Sequence, residues 1–282
     1  MKFASFSRNG SESWGAVQDD RIVDLGSVLG GGLPDLKSAI ASGRLGQGRA
    51  AAADAPSFDV GEVRWLPVIP NPDKILCVGL NYETHRKETG RAEVEQPTIF
   101  TRFANSQTGH AEPVPRPKVS DKVDFEGELA VVIGRAGRYI ARKDAMEHVA
   151  GYSIYNDITI RDFQYHTHQF TPGKNFPGTG AFGPWMVTPD EMGELGAQRL
   201  QTRVNGQVVQ HAELGAMIFD IARIIEYCSS FTRLEPGDVI ATGTPGGVGA
   251  KRKPELWLRP GDEVAVEIEG IGTLSNIIED ER

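Results

Sequence analysis

The sequence predicts a β-rich α+β protein with a small N-terminal β-rich domain, residues 1–68, and a larger domain, residues 73–282. Two observations favour this class. Short segments that alternate apolar and polar residues recur along the chain, whereas few stretches carry the periodicity of a helix. Three prolines, Pro67, Pro70 and Pro72, separate the two parts, because so proline-rich a segment fits neither a helix interior nor a central strand.

The N-terminal part is expected to begin with short strands and tight turns. "SWGAVQ" and "RIVDLG" follow the strand pattern, and the turn signal "RNGSES" joins two such pieces as a hairpin. Next, "LPDLKSAIASG" predicts a short helix, with a proline near its start and a glycine past its end. The Ala-rich segment "GRAAAADAPS" that follows fits either a helix or a loose connection.

The larger part opens with an apolar strand and a short helix. "KILCVGLNY" predicts the strand. "NYETHRKETG" predicts the helix, with Asn81 as its N-cap and Gly90 as its C-terminal stop. Strand patterns predominate afterwards, in the segments "PTIFTRF", "ELAVVIG", "VAGYSIYNDIT", "GPWMVT", "QTRVNGQVVQ", "DVIATGTP" and "EVAVEIEGIGTLSNII".

Two helix-like segments interrupt the strands of the larger part. The first is "RKDAMEHVAG". The second is "MIFDIARIIEYCSSF", where apolar residues at helical spacing form a stripe made of Ile218, Ile221, Ile225 and Cys228. Helices are therefore expected to be few and to pack against sheets, which completes the α+β prediction.

Composition and charge narrow the class of protein. The chain has 282 residues, of which 39% are hydrophobic and 24% charged, as in an ordinary globular protein. Its formal net charge of −8, without any Lys/Arg-rich run, argues against nucleic-acid binding. No apolar run approaches the ~20 residues that span a bilayer, and the N-terminus lacks a signal-peptide core, so we expect a cytoplasmic protein without a membrane partner. Cys77 and Cys228 match no metal or redox spacing and are expected to be reduced thiols.

Acidic side chains occupy alternate positions in "VDFEGELAVVIG", directly before an apolar run. In a strand Glu126 and Glu128 share one face, and Asp124 would share it too. Neighbouring carboxylates repel, and a divalent cation relieves the repulsion; oxygen-only ligands suit Mg²⁺, Mn²⁺ or Ca²⁺. Taken alone, such a pair of glutamates fits a solvent-facing edge strand, where acids protect the edge, better than it fits a metal site. Asp157 offers a third carboxylate, although by itself it fits a helix cap.

Other segments carry candidate chemistry of less specific kinds. His85 and Glu88 lie three apart on the predicted helix, where a glutamate-oriented histidine could act as a general base, although the spacing alone fits a surface salt bridge better. Lys174 lies in a Gly/Pro-rich loop. The G-x-G-x-x-G of residues 178–183 is not interpreted as a dinucleotide-binding motif, because no strand–loop–helix unit surrounds it. The segment "ATGTPGGVGAK" is not interpreted as a phosphate-binding P-loop, because its spacing differs from that motif.

Five segments, taken together and in order, resemble the fumarylacetoacetate hydrolase superfamily, in particular its smaller acylpyruvate-hydrolase-like members. They are "LNYETHRKE", "VDFEGELAVVIG", "YNDITIRDFQ", "GKNFPGTGAFGPW" and "ATGTPGGVG", and the similarity runs from about residue 73 to the C-terminus. The resemblance implies a mixed β-roll catalytic domain, a homodimer and a Mg²⁺ or Mn²⁺ site. It implies that Glu126, Glu128 and Asp157 are the metal ligands and that Asp124 supports them or the fold.

The same resemblance implies roles in catalysis and substrate binding. His85 and Glu88 match a water-activating pair that is carried on a mobile lid, and Lys174 matches the active-site lysine of the family. Gln164 and Thr244 fall at positions that are expected to contact substrate.

The chain departs from the family pattern at two places. Many relatives carry a lysine in the strand "PTIFTRF", where this chain has Arg102. Arginine keeps the charge but presents a planar fork that suits a carboxylate, so Arg102 is expected to contact substrate. The loop "QFTPGKNFPGTGAF" also differs from the commoner family sequence. Both departures therefore bear on substrate identity more than on metal binding.

The expected activity is hydrolysis of the C3–C4 bond of a 2,4-dioxo acid of the acylpyruvate type. In this hypothesis the metal holds the 1-carboxylate and 2-oxo group, and His85 with Glu88 deprotonates the water that attacks C4. The products are pyruvate and a carboxylic acid. Two alternatives remain open: an oxaloacetate decarboxylase or 2-hydroxymuconate-type isomerase or hydratase that uses the same site, and a non-catalytic, metal-stabilised binding protein.

Overall fold

The structure is a computed structural model that describes residues 1–30, 32–51 and 55–282. The strands in the first half of the chain are β1 (Lys2–Arg8), β2 (Ser11–Gln18), β3 (Arg21–Asp24), β4 (Ser57–Asp59), β5 (Arg64–Trp65), β6 (Ile75–Gly79), β7 (Thr98–Arg102), β8 (Gln107–Thr108), β9 (Val114–Arg116), β10 (Val123–Asp124) and β11 (Gly127–Ile133). The later strands are β12 (Val149–Asp157), β13 (Thr159–Ile160), β14 (Gly180–Val187), β15 (Arg199–Val204), β16 (Gln207–Glu213), β17 (Val239–Ala241), β18 (Glu263–Ile268) and β19 (Gly272–Asp280).

The helices are short except for one. They are α1 (Leu25–Leu29), α2 (Leu36–Ala41), α3 (Gly48–Ala51), α4 (Glu83–Thr89), α5 (Arg161–Tyr165), α6 (Thr171–Lys174), α7 (Pro189–Met192) and α8 (Ile221–Phe231). Single 3₁₀ turns or short 3₁₀ helices lie at Leu45–Gln47, Val60–Glu62, Ala104–Ser106, Arg142–His148, Leu195–Ala197, Leu214–Ala216 and Gly249–Lys251. The predicted β-rich α+β class is therefore confirmed.

Two sheets make up most of the structure. The larger has the order β4-β3-β2-β1-β14-β12-β11-β17-β6-β7, with β5 paired to β1 and β8 paired to β14. The smaller has the order β16-β15-β18-β19-β9, and a short separate ladder pairs β10 with β13. Most neighbours are antiparallel, whereas β17 and β6, β14 and β8, and β19 and β9 run parallel. The arrangement is a mixed sheet, as the family resemblance implied.

Strand β11 lies at the centre and is buried on both faces. Leu129, Val131 and Ile133 pack into one hydrophobic cluster with residues of β15, β18, β19 and α8. Ala130 and Val132 face a second cluster shared with the N-terminal strands. Because side chains alternate along a strand, this two-faced burial explains why its sequence is a continuous apolar run rather than an alternating one.

The N-terminal segment joins the large sheet through β1. Lys2 and Phe3 pair with Val187 and Met186 of β14, and β1 also forms the predicted hairpin with β2. Residues 66–74, which hold the three prolines, contain neither helix nor strand. The division into domains at residues 1–68 and 73–282 stays a prediction, because the sheet runs across both parts.

Helix boundaries differ from the predictions where a side chain has a stronger tertiary partner. Tyr82, not Asn81, is the N-cap of α4, because the Asn81 amide is fully engaged with Phe219 and Thr242. The predicted C-terminal stop is confirmed, since Gly90 adopts φ +69°. Helix α8 begins only at Ile221, capped by Asp220, so Ile218 lies outside the helix and is exposed.

For two further segments the sequence predicts a helix, in one case with a loose connection as the alternative. The segment "RKDAMEHVAG" forms a 3₁₀ helix, Arg142–His148, that leads into β12. Of the Ala-rich segment, residues 48–51 form α3, and residues 52–54 lie outside the described residues. Within the part of the chain that the structure describes, no helix is long and apolar enough to cross a membrane.

Gly127 sits where two sheets approach closely, and its replacement tests that packing. A Cβ at residue 127 would lie 2.3 Å from Thr202 Oγ1 and 2.9 Å from Val266 Cγ1. We expect Gly127→Ala to lower the free energy of unfolding by roughly 1–3 kcal/mol through overpacking, as measured by denaturant unfolding. Gly46→Ala is the matched control, because nothing lies within 4 Å of that position. Equal effects of the two substitutions would contradict this account of the packing.

Candidate active site

Three carboxylates meet where β10, β11 and β12 come together. Glu126 lies between β10 and β11, Glu128 lies on β11, and Asp157 ends β12. Residues 127 and 156 are opposite each other in the antiparallel pair, and the Asp157 amide donates a hydrogen bond to the Glu126 carbonyl at 2.9 Å. One oxygen from each carboxylate lies within 4.8 Å of the others, and all three residues are buried. The structure thus brings together the three residues that the sequence analysis proposed as metal ligands.

Two of these carboxylates are neutralised by buried cations. Lys174 Nζ lies 2.7 Å from Glu126 Oε2 and 2.6 Å from Asp157 Oδ2. Arg161 NH2 lies 2.6 Å from Glu126 Oε1, as an ion pair without hydrogen-bond alignment. Burial by itself would raise the pKa of Glu126, but Lys174 and then Arg161 outweigh it and lower that pKa to about 2. Glu126 is therefore held as a carboxylate.

Glu128 is the carboxylate without a counter-ion among the described residues. It accepts a hydrogen bond from the Gly243 amide at 2.8 Å, and no described cation lies within ion-pair distance. Burial raises its pKa well above the ordinary range, and the nearby charges of Asp157 and Glu126 raise it further. A buried carboxylate in this position gains from a cation that supplies the missing charge.

The donor set fits a hard divalent cation. All three candidate ligands offer only carboxylate oxygens, which suit Mg²⁺ or Mn²⁺ better than thiol- or imidazole-binding metals. The fully buried, uncompensated Glu128 is the structural observation that favours a bound cation. Glu126, Glu128 and Asp157 are thus the residues that would hold it.

Arg102 lies behind the carboxylates. Its side chain is buried, with NH1 2.5 Å from Asp157 Oδ1 and NH2 2.7 Å from the Thr179 hydroxyl. Arg102 is not among the residues that line the cavity next to the cluster. Contact between Arg102 and substrate stays a prediction, and its observed bonds instead orient the Asp157 carboxylate. The guanidinium is divided between the Asp157 carboxylate, bound by NH1, and the hydroxyl groups of Thr179 and Ser106.

His85 and Glu88 form a hydrogen-bonded pair on α4. His85 Nδ1 lies 2.7 Å from Glu88 Oε1, so with Nδ1 as donor the lone pair of the neutral ring is on Nε2. The second Glu88 oxygen accepts a hydrogen bond from the Gly247 amide at 2.8 Å, which ties α4 to the glycine-rich loop after β17. His85 is buried and lines the same cavity as Glu126 and Glu128. The pair is therefore built into the site and is not the surface salt bridge that the spacing alone favoured.

A cavity of about 140 Å³ is lined by His85, Glu126 and Glu128, whereas Glu88 and Asp157 are not among its lining residues. That volume is below the roughly 300–1,000 Å³ of pockets for drug-sized ligands, so it suits a small acid. Six of the predicted site residues line it: His85, Glu126, Glu128, Gln164, Lys174 and Thr244. The structure also adds Arg161, Arg91 and Lys251, whose positions the sequence analysis did not assign. The motif "RDFQ" was the available signal for Arg161, whereas no local pattern pointed to the other two.

Gln164 and Thr244 are fixed at the cavity wall by neighbouring polar groups. The Gln164 amide oxygen accepts a hydrogen bond from Arg161 NH1 at 2.8 Å, which leaves its amide nitrogen as a donor. The Thr244 hydroxyl donates to the Gly127 carbonyl at 3.0 Å and accepts from Gln210 at 2.7 Å. Both positions are compatible with substrate contact, which stays a prediction.

Asp124, the first acid of the alternating set, does not join the cluster. Its fully buried carboxylate lies 2.7 Å from Arg161 Nε and accepts hydrogen bonds from the Gly249 and Ala250 amides at 2.7 and 3.0 Å. These bonds fix both the arginine and the glycine-rich loop. Asp124 therefore supports the site from outside, as the sequence analysis expected.

Comparisons with known proteins found similar sequences and similar folds. Residues 74–279 match the family described as fumarylacetoacetate (FAA) hydrolase C-terminal. The chain is 43% identical over 230 residues, 81% of its length and 73% of the relative's, to the protein called oxaloacetate tautomerase FAHD2A, mitochondrial, from Homo sapiens. A fumarylacetoacetate hydrolase from Exiguobacterium antarcticum is 36% identical with a TM-score of 0.88, and each chain is fully covered. Maleylpyruvate hydrolase from Sphingobium sp. SYK-6, in complex with manganese (II) ion and pyruvate, is 26% identical with a TM-score of 0.84, again with full coverage of both chains.

Removing one proposed ligand tests the metal site. We expect Glu128→Gln to weaken Mn²⁺ binding by more than about 100-fold. This exceeds the usual loss of affinity when a residue that only hydrogen-bonds to a metal ligand is replaced. Titration calorimetry or the paramagnetic resonance of free Mn²⁺ measures the affinity. Glu255→Gln is the control, because Glu255 is an exposed carboxylate outside the cluster. Unchanged affinity in Glu128→Gln would show that the ligand assignment is incorrect.

Metal binding should also depend on pH in a defined direction. The pKa of Glu128 is raised, so below that pKa its carboxyl group holds a proton that a cation must displace. We therefore expect Mg²⁺ or Mn²⁺ affinity to increase as the pH rises through the raised pKa. Calorimetry in two buffers with different heats of ionisation should detect the released proton. An affinity that falls with rising pH would contradict this assignment.

Proposed function

This chain belongs to the fumarylacetoacetate hydrolase family, and we propose that it is a divalent-metal-dependent enzyme that interconverts the enol and keto forms of oxaloacetate. One observation carries the proposal: His85, which is hydrogen-bonded to Glu88, lines the same small cavity as Glu126 and Glu128, two of the three clustered carboxylates. The human relative that is 43% identical bears the name of an oxaloacetate tautomerase. A proton-transferring side chain beside a site for a 2-oxo acid is what such a reaction requires.

The reaction moves one proton between oxygen and carbon. In the enol-to-keto direction, protonated His85 donates its Nε2 proton to C3, the enol oxygen at C2 releases its proton to solvent, and the C2–C3 double bond becomes a C2–O double bond. Glu88 accepts a hydrogen bond from the Nδ1–H of His85, so it orients the ring and stabilises its positive charge. His85 then regains a proton from solvent, and no atom of the substrate is lost.

Other side chains of the site bind and orient. Glu126, Glu128 and Asp157 would hold a divalent cation, which would supply positive charge to stabilise negative charge on the oxygens of a 2-oxo acid. Lys174 and Arg161 keep Glu126 ionised, so the cluster is ready to bind. Gln164 and Thr244 present polar groups at the cavity wall to orient the acid. The small cavity limits the water around C3 and favours proton transfer through His85.

The second candidate is hydrolysis of the C3–C4 bond of an acylpyruvate. It is favoured by the same His85–Glu88 pair, because a histidine oriented by a glutamate can deprotonate water. In this reaction hydroxide adds to C4, the C3–C4 bond breaks, C3 gains a proton, and pyruvate and a carboxylic acid result. A maleylpyruvate hydrolase is among the structurally similar proteins. The two candidates differ in whether His85 acts on C3 or on water.

Replacing His85 tests the proposed function. We expect the wild-type protein with Mg²⁺ to accelerate the loss of enol absorbance of fresh oxaloacetate in dilute buffer. His85→Ala should slow this step by about 10²–10⁴-fold, the usual contribution of a general acid–base group. His168→Ala is the control, because that histidine is exposed and does not line the cavity.

The same assays separate the alternatives. Pyruvate formed from oxaloacetate would indicate decarboxylation. Pyruvate formed from acylpyruvates, without enol–keto acceleration, would favour the hydrolase. Metal binding without turnover of either acid would leave a non-catalytic binding protein. If His85→Ala kept full tautomerase activity, the role given to His85 would be excluded.

A further inference from the structure

The outer part of the cavity carries two cationic side chains that no described residue neutralises. Arg91, two residues past the end of α4, and Lys251, at the end of the turn Gly249–Lys251, both line the cavity and are exposed. Among the described residues, neither has an ion-pair or side-chain hydrogen-bond partner. The cations deeper in the wall differ, because Lys174 and Arg161 are buried and paired with carboxylates of the protein.

The backbone around each free cation is held in place. The Arg91 amide donates to the Arg86 carbonyl at 3.2 Å, and Arg86 NH1 donates to the Arg91 carbonyl at 3.0 Å. On the other side, buried Asp124 accepts hydrogen bonds from the Gly249 and Ala250 amides directly before Lys251. Both side chains are thus attached to fixed backbone while their charged ends remain available to a ligand.

We propose that Arg91 and Lys251 bind the second carboxylate of a dicarboxylic 2-oxo acid and make the enzyme selective for dicarboxylates. The inference rests on the proposed function, which places the 2-oxo end of the acid at the buried carboxylate cluster. A chain with a formal net charge of −8 repels a dianion at long range, so cations at the cavity must offset this repulsion. The planar guanidinium of Arg91 can donate two parallel hydrogen bonds to a carboxylate, and Lys251 adds a point charge.

A subsite differs from general electrostatic attraction in what it discriminates. Steering acts on the total charge of a ligand, decreases strongly with added salt and affects association. A subsite also distinguishes between acids according to whether a carboxylate stands at C4, and it changes KM more than kcat when it is lost. The distinction can be measured with two acids that share four carbons and the 2-oxo acid group.

The test compares oxaloacetate with 2-oxobutanoate, which has a methyl group in place of the second carboxylate. Exchange of C3 hydrogen for deuterium, followed by NMR in D₂O with Mg²⁺ at physiological ionic strength, reports the same proton transfer for both acids. We expect Arg91→Ala and Lys251→Ala each to lower kcat/KM for oxaloacetate roughly tenfold, mainly through KM. Values for 2-oxobutanoate should stay within about twofold, as for loss of an exposed charge without a specific partner.

Matched controls and a rescue sharpen the test. Lys143→Ala and Lys253→Ala remove exposed lysines that do not line the cavity, and both should leave the two acids unaffected. Lys251→Arg should restore most of the preference for oxaloacetate, because it returns the charge. Equal losses for both acids would show that the two residues do not recognise the second carboxylate, and a larger loss for oxaloacetate that added salt abolishes would indicate steering alone. Unchanged kinetics for both acids in Arg91→Ala and Lys251→Ala would show that these residues do not bind substrate. Each of these three results overturns the subsite.

Binding of stable analogues keeps this inference separate from the proposed function. If the wild-type protein accelerated exchange in neither acid, the proposed function would fail, and calorimetry would still decide the subsite. Malate and 2-hydroxybutanoate differ only at the distal carboxylate. Wild-type protein with Mg²⁺ should bind malate more tightly, and the Arg91→Ala, Lys251→Ala double variant should lose that preference. A preference that survives in the double variant overturns the subsite whatever the activity.

Discussion

The ammonium of Lys174 lies between the carboxylates of Glu126 and Asp157, at 2.7 and 2.6 Å, in a position closed to solvent. Opposite charges that are buried together need full compensation, because removal of one partner typically costs about 3–5 kcal/mol. The surrounding structure meets this need with two arginines: Arg102 binds the far oxygen of Asp157, and Arg161 lies against Glu126. Among the described residues, no cation lies within ion-pair distance of Glu128, and this imbalance favours a bound divalent cation at the cluster.

Asp124 connects the charged cluster to the glycine-rich segment "ATGTPGGVGAK". Hydrogen bonds to the backbone of this segment hold it in place. Through one carboxylate Asp124 fixes Arg161 and the amides of Gly249 and Ala250. The opposite wall is fixed in a similar way, because Glu88 accepts a hydrogen bond from the Gly247 amide. Acidic side chains thus position both the glycine-rich loop and the helix that carries His85. The geometry of the cavity depends on these bonds as much as on hydrophobic packing.

The chemistry that the site supports follows from this arrangement. Enol–keto exchange and C–C hydrolysis both develop negative charge on the oxygens of a 2-oxo acid, and both need a group that transfers a proton. Nothing in the carboxylate cluster separates the two reactions. The distinction between substrates must come from the residues around the far end of the acid. In this chain that region has Arg91 and Lys251, which are 160 residues apart in sequence but line one cavity.

The sequence by itself determined which apolar segments form strands, the first hairpin, and the alternate spacing that places Glu126 and Glu128 near each other, because these features depend on neighbouring residues. Its family motifs also indicated Asp157, Lys174 and the His85–Glu88 pair. Only the tertiary structure decided that Arg102 holds Asp157 behind the cavity, that Glu128 lacks a counter-ion among the described residues, and that two exposed cations line the cavity. Such facts depend on which distant segments the sheets bring together, and on the burial that makes an unpaired charge costly. No local pattern in the sequence encodes these long-range contacts or the burial of these charges.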